Sequence, residues 1–422
     1  MSSSLDQPTG APAISRPRVN AARLAVLLVF ALNGATFATW ASRIPNVRDE
    51  LGLAPGQLGL LLLFISAGSL IALPLSGRVT PAIGAQAAVR YGSIIGCFGM
   101  VLAGFATDLL RAPVVVATGM FLIGLGIGFW DVSMNLEGAT VEHLWGKTVM
   151  PHFHAAFSLG TVVSALIGAG MAKLEVSVSW HLLVGAILIV ATNIWASAKF
   201  LPRGVEAAEE VAASEQAETA EAAAPVSARS AWTEPRTLLV GLVTMVAAFT
   251  EGTANDWMSV ALVDGYHLPA WAGVLGFATF LTFMTLGRVS GVKLLDRYGR
   301  VPTLRVMFLL AMAGSLLVIF GTTPLAFIGA AIWGFGVSLG FPVGMSAAAD
   351  EPARAAQRLS VVATISYTAF LAGPPLLGFL GDHVGVLRAF LVVSAALVPA
   401  LLLLPVMREP AALTANTDTT RE

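Results

Sequence analysis

The chain has little of what a soluble domain of its length requires. Only 12% of its 422 residues are charged while 56% are hydrophobic, and an aqueous globule of that composition would leave large apolar patches in water. Acids and bases nearly cancel, to a formal charge of −1, so no basic surface for nucleic acid is expected. A single cysteine, Cys97, excludes a disulfide within the chain. There are six histidines, and the closely spaced pair His152 and His154 lacks a third ligand nearby, so neither a metal nor a cofactor is expected. Gly336-Val-Ser338-Leu-Gly340 and Gly124-Leu-Gly126-Ile-Gly128 imitate a hydrolase elbow and a dinucleotide loop. Both lie inside apolar helical runs without the strand those motifs need. They read as small-residue packing faces, and enzyme chemistry is not expected.

What fills the chain is hydrocarbon. Twelve apolar runs, at 22–44, 57–76, 89–107, 112–136, 151–171, 180–200, 237–262, 270–290, 302–320, 324–348, 359–380 and 386–406, are each long enough to cross a bilayer core of about 30 Å. The first is too long for a signal-peptide core and reads as an uncleaved helix. Hence the predicted fold class is an all-α membrane protein, twelve transmembrane helices in two pseudo-symmetric six-helix bundles. The bundles are 22–200 and 237–407, with a linker at 201–236 and tails at 1–21 and 408–422. The linker is rich in alanine and glutamate, from Glu206 to Glu221, which reads as a solvated segment.

Cytoplasmic loops hold an excess of Lys and Arg. With the N-terminus inside, only Arg43, Arg48, Arg111, Lys173 and Arg388 of the 24 basic residues fall outside. Both termini and the linker are therefore expected in the cytoplasm, and the protein in a bacterial inner (plasma) membrane, functional as a monomer.

The halves repeat one another. Trp40 matches Trp257, Gly56 matches Gly273, Gly59 matches Gly276, Gly84 matches Gly299 and Gly160 matches Gly373, at offsets of about 215 residues. Six-plus-six symmetry of this kind recurs in secondary transporters and places a site between the repeats.

An ionisable side chain deep in hydrocarbon costs about 2.5 to 3.5 kcal/mol on insertion scales, so it persists mainly where it faces a polar space or a partner. Glu251 is the deepest acid, near the middle of the seventh run. An acid at that depth can take up and release a proton, the requirement for a coupling residue; a neutral packed acid is the bland reading. Asn255 follows one turn later, and Asn33 lies near the middle of the first run with Phe37 and Trp40 at helical spacing beyond it. These five residues are the expected substrate-binding set, amides for hydrogen bonds and aromatic faces for stacking. For Trp40 and Trp257 the competing role is an interfacial anchor. Asp131 and His154 fall at similar depths on adjacent runs and are expected to pair, relaying a proton or forming an inner gate, with Glu251 as the other proton-coupling candidate; a static hydrogen bond is the bland reading. Near the outer surface, Arg43 and Asp256 are expected to form a gating salt bridge.

The loop after the eighth run, Asp296-Arg297-Tyr298-Gly299-Arg300, resembles the cytoplasmic signature of the major facilitator superfamily, with a decayed first-half copy at 77–84. More narrowly, Gly128-Phe-Trp-Asp131-Val-Ser-Met-Asn135-Leu-Glu137, Pro151-His-Phe-His154 and Glu251-Gly252 with Asp256-Trp257 resemble the MosC-like, YbjJ-like branch. The resemblance implies alternating access and proton coupling, with Asp296, Arg297 and Arg300 bracing the conformations. The expected function is secondary active transport of a small solute, sugar-like or otherwise polar. Efflux of an amphipathic compound and a non-transporting sensor or scaffold are the alternatives.

Overall fold

The computed structural model describes residues 15–147, 149–202, 231–351 and 354–409. Most of the linker and of both tails lies outside these. Among the described residues, twelve helices are long and apolar enough to cross a membrane. They are α1 (Arg16–Leu51), α2 (Pro55–Ile83), α3 (Ala85–Leu110), α4 (Pro113–Trp145), α5 (Met150–Lys173) and α6 (Val178–Ser197), then α7 (Pro235–Tyr266), α8 (Ala270–Tyr298), α9 (Arg300–Phe320), α10 (Thr323–Ala348), α11 (Ala355–Val384) and α12 (Val386–Met407).

Helices outrun their apolar cores because polar side chains at the ends find work there. α1 begins at Arg16, inside the stretch expected to be tail, and Arg18 caps the far end of the half by donating to the Phe200 carbonyl at 2.7 Å. In the second half Arg236 repeats the device, donating to the Val406 carbonyl at 3.3 Å. α1 is broken at Ser42–Arg43, and its last piece, Ile44–Leu51, stops at Gly52, whose φ of 62° is the left-handed turn that glycine takes without strain.

The described chain forms two compact units. The first holds residues up to 40, 64–164 and 178–202; the second holds 41–63, 165–177 and 231–409.

In the first unit α3 and α4 touch backbone to backbone. A Cβ on Gly99 would lie 2.5 Å from the Gly119 carbonyl oxygen, and one on Gly119 would lie 2.6 Å from that of Gly99. Without bulk solvent to drive helices together, such close approach is the main source of association in lipid. Asn193 of α6 adds a hydrogen bond to Ser93 of α3 at 2.7 Å, and Asp108 caps α6 by accepting the Ser179 amide at 2.7 Å.

The second unit uses the same contact between α9 and α10. Gly314 and Gly329 approach reciprocally, each Cβ position 2.7 Å from the other's carbonyl oxygen. Two repeats thus share a packing solution as well as a glycine spacing. Trp333 of α10 sits edge-on to Phe280 of α8 and Phe390 of α12, with centroids 6.1 and 5.1 Å apart. Outward-facing stripes on the third helix of each triplet, such as Tyr91, Ile94 and Phe98 on α3 and Val306 and Leu309 on α9, are exposed and apolar, as lipid contact requires.

Candidate functional site

The second unit places an ion pair inside its membrane spans. Gly273 and Gly276 at the start of α8 let α7 come close: a Cβ on Gly273 would lie 2.5 Å from the Ser259 carbonyl oxygen, and the Leu262 side chain covers Gly276. That contact fixes the register of two antiparallel neighbours. Glu251 lies 11 residues before Leu262 and Arg288 lies 12 residues after Gly276, so both are displaced about 17 Å along their helices from the same point. They meet there, with Arg288 Nη2 donating to Glu251 Oε1 at 2.8 Å. Neither side chain is sealed: Glu251 is 16% exposed and Arg288 31%. Asn255, one turn from Glu251, has a buried Oδ1 with no hydrogen-bond partner among the described residues.

Sequence reasoning did not single out Arg288, because an arginine about five turns into an apolar run and near its basic end looks interfacial. The glycine register between α7 and α8 was the signal that pointed to it.

Other expected residues lie elsewhere or in other company. Asn33 and Trp40 are fully buried in the first unit, and Asn33 Nδ2 reaches only the Met134 sulfur at 3.6 Å; Phe37 alone of that trio is half-buried. Trp257 is likewise buried, so neither tryptophan is an interfacial anchor. The expected pairing of Asp131 with His154 is not formed. Asp131 has no side-chain partner among the described residues, and the exposed His154 ring stands edge-on to Phe30 at 5.3 Å. Depth along two runs suggested the pairing, but depth does not fix which way a side chain points around its helix. Asn135, on the Asp131 face, donates to the Asp131 backbone carbonyl at 2.8 Å. Glu142 caps the start of α5, its Oε2 accepting the Val149 and Met150 amides at 2.6 and 2.7 Å.

The expected Arg43–Asp256 salt bridge is also absent. Arg43 is buried and donates to the Val176 carbonyl at 2.5 Å, and Asp256 has no partner among the described residues. Arg48 makes the corresponding connection from the same helix: its Nη1 meets Asp264 at 2.5 Å, and its Nε and Nη2 meet Asp49 at 2.9 and 2.6 Å. Close by, the Gly56 amide at the N-terminus of α2 donates to Asp382 Oδ1 at 2.9 Å, a carboxylate at the positive end of a helix. Gly59 and Gly378 bring α2 and α11 together, with a Cβ on Gly59 2.5 Å from the Pro374 carbonyl oxygen. First-half residues 41–63 are therefore fastened to second-half residues at this end. Because an exposed pair contributes only about 0.2 to 1 kcal/mol, Arg48→Asp or Asp264→Arg alone is expected to loosen the fastening rather than unfold the protein. In a Cys97→Ala background, thiol labelling at Phe37→Cys should accelerate in either single variant and return to the starting rate in the double variant. An unchanged rate in the singles, or no recovery in the double, contradicts a gating role.

At the opposite end, Arg300 is the one signature residue drawn into a network. It meets Asp350 at 2.7 Å and Ser346 at 3.0 Å, and its backbone amide donates to Glu409 at 2.9 Å. Arg236 shares Asp350 at 2.7 Å. Asp296 is exposed without an ion pair among the described residues, and Arg297 stacks over Tyr298 at 5.2 Å. Next to this network Glu234 binds Arg354 and Arg358. Burial opposes its charge, yet hydrogen bonds from Thr237 and Arg358 and the charges of Arg358 and Arg354 hold it below the ordinary carboxylate range.

Twelve spans, repeated halves and an ion pair within the spans define a multi-pass membrane protein of the secondary-transporter class. The chain belongs to the major facilitator superfamily, which it matches over residues 26–350 and 275–421. It is 30% identical over 390 residues to an uncharacterized MFS-type transporter of Yersinia pestis, covering 90% of this chain and 93% of that one. The membrane protein MosC of Rhizobium meliloti is 27% identical over 382 residues, 88% of this chain and 86% of the relative. Among solved structures, the nucleoside transporter NupG shares the fold with a TM-score of 0.70 at 12% identity, covering 91% of this chain and 98% of that one.

Proposed function

We propose that this transporter couples the movement of a small polar solute to protons by alternating access, with Glu251 as the proton carrier. The 2.8 Å contact between Glu251 and Arg288 carries the reading. A carboxylate and a guanidinium in the same span-embedded pair are stable together, and protonating the carboxylate removes the attraction without moving either helix. The cost of leaving Arg288 without its counter-charge then falls on the next available partner. Proton occupancy and partner choice are linked by that one contact.

Asn255 offers an unspent acceptor one turn away, and Phe37 supplies an accessible aromatic face in the first unit. Asp131 is a second, unpartnered acid and serves proton exchange in the first unit; His154 stands apart from it. Arg43 and Asp256 act near the outer end beside the Arg48–Asp264 pair, while Asp296, Arg297 and Arg300 act at the other. Both termini lie in the cytoplasm and the protein works as a monomer in a bacterial inner membrane.

Proteoliposomes loaded with pyranine test the coupling. A panel of sugars, inositol derivatives and polar acids is expected to contain a solute whose addition acidifies the lumen, and whose uptake an inward-acid gradient drives uphill. Solute flux that neither moves protons nor responds to the gradient contradicts the proposal.

A further inference from the structure

The arginines that only hold the second unit together are well used. Arg48 serves Asp49 and Asp264. Arg236 serves Val406, Asp350 and Arg408, Arg300 serves Asp350, Ser346 and Glu409, and Arg358 serves Glu234 and Glu351. All four lie toward the ends of helices.

Arg288 differs from these four in lying within a hydrocarbon span and having a single partner. Of the five N–H donors a guanidinium carries, one is engaged, by Glu251 Oε1. Its Nε is buried with no partner among the described residues, and the second oxygen of Glu251 does not close a second bond to it. A structural ion pair in this environment gains by closing into a two-bond fork; this pair is left with one bond and unspent donors.

We infer that the transported solute carries an acidic group, carboxylate-like in shape, and that Arg288 is the residue that binds it. This rests on the coupling role proposed for Glu251. While Glu251 is ionised it occupies Arg288 and repels an anion. Once protonated it releases the guanidinium, whose fork matches a carboxylate with two parallel hydrogen bonds. Proton and monoanion then bind together, leaving the net charge of the site unchanged and making each cycle electroneutral. The other charged groups around α7 do not supply this chemistry. α10 has no ionisable side chain, α12 has only Arg388 near its start, and α11 carries Arg358, Asp382 and His383 toward its two ends, presenting between them only Tyr367, packed between Phe341 and Phe370. Asp256 lies five residues from Glu251, on another side of α7.

Matched pairs of solutes test it on purified protein: glucose against glucuronate, inositol against quinate, an alkyl alcohol against its acid, each followed by tryptophan fluorescence and thermal shift. At least one acid is expected to bind where its neutral partner does not. Toward alkaline pH its Kd should rise about tenfold per pH unit, as one linked proton requires. Glu251→Gln should bind the acid with no such slope. Arg288→Gln should lose binding by at least tenfold at an unchanged melting temperature, and Arg288→Lys should recover part of it. In proteoliposomes, uptake of the acid should not respond to a potassium-valinomycin potential.

Neutral partners binding as well as acids, retained binding in Arg288→Gln, or no acid bound by either the native protein or Glu251→Gln overturns the inference. The two levels separate cleanly. Proton-driven uptake of a neutral solute sinks the acid-group inference and leaves the coupling intact, whereas pH-linked acid binding without any gradient-driven uptake does the reverse.

Discussion

Glu251→Gln is expected to abolish uphill transport while sparing downhill exchange. Glutamine keeps the shape and one hydrogen-bond acceptor for Arg288 but can neither bind nor release the proton. With one proton per cycle, a gradient of one pH unit sustains about tenfold accumulation, worth about 1.4 kcal/mol. The variant should hold that ratio at unity at every imposed gradient. Counterflow of labelled solute should continue, because it needs the binding site and the conformational change but no net proton. The native protein and the variant, reconstituted at equal density, give the comparison. Accumulation in the variant above unity removes Glu251 from coupling. Loss of counterflow as well would instead mean that the substitution blocks the cycle as a whole.

The largest effect on stability is expected at Asp350. Its side chain is 2% exposed and accepts from both Arg236 and Arg300, each at 2.7 Å, tying the start of α7 and the start of α9 to the end of α10. Removing one member of a buried ion pair costs about 3 to 5 kcal/mol, because the partner charge is left uncompensated. Arg236 is 40% exposed and recovers part of this from water, so Asp350→Ala is expected near the lower bound, about 3 kcal/mol. Thermal unfolding in detergent should show a marked fall in midpoint. Asp350→Asn, which keeps one acceptor, should fall by less, and Asp296→Ala, an exposed acid of the same signature region, should be indistinguishable from the native protein. A shift in Asp350→Ala no larger than that of Asp296→Ala refutes the assignment of Asp350 as the hub.

Hydropathy was enough to count the spans, because a bilayer imposes one length on every helix. The repeats were readable too, since the glycines at Gly84 and Gly299 both adopt the positive φ their position demands, and Trp40 and Trp257 are both buried. Depth singled out Glu251, which the structure pairs with Arg288. What depth does not carry is direction around the helix axis, and that is where the pairings failed. Asp131 and His154 were matched by depth along the sequence, yet no contact joins them, and His154 stands against Phe30. Arg43 turns to the Val176 carbonyl, leaving Arg48 to reach α7. Asn33 has the composition of a ligand contact, yet Met134 covers it. Arg288 went unnoticed for the opposite reason: its place near the basic end of a span made it look ordinary, and only the α7–α8 register shows that it lies level with Glu251.

Gly56 and Gly59 repeat Gly273 and Gly276 in spacing but not in use. The later pair binds α8 to its chain neighbour α7, while the earlier pair meets Gly378 and Pro374 on distant α11. Surfaces that touch through bare main chain hold no interlocked side chains. Parting them requires only the Asp382 contact and the nearby Arg48–Asp264 pair to let go, so a few exchangeable polar bonds, and no interdigitated apolar side chains, set the strength of this seam.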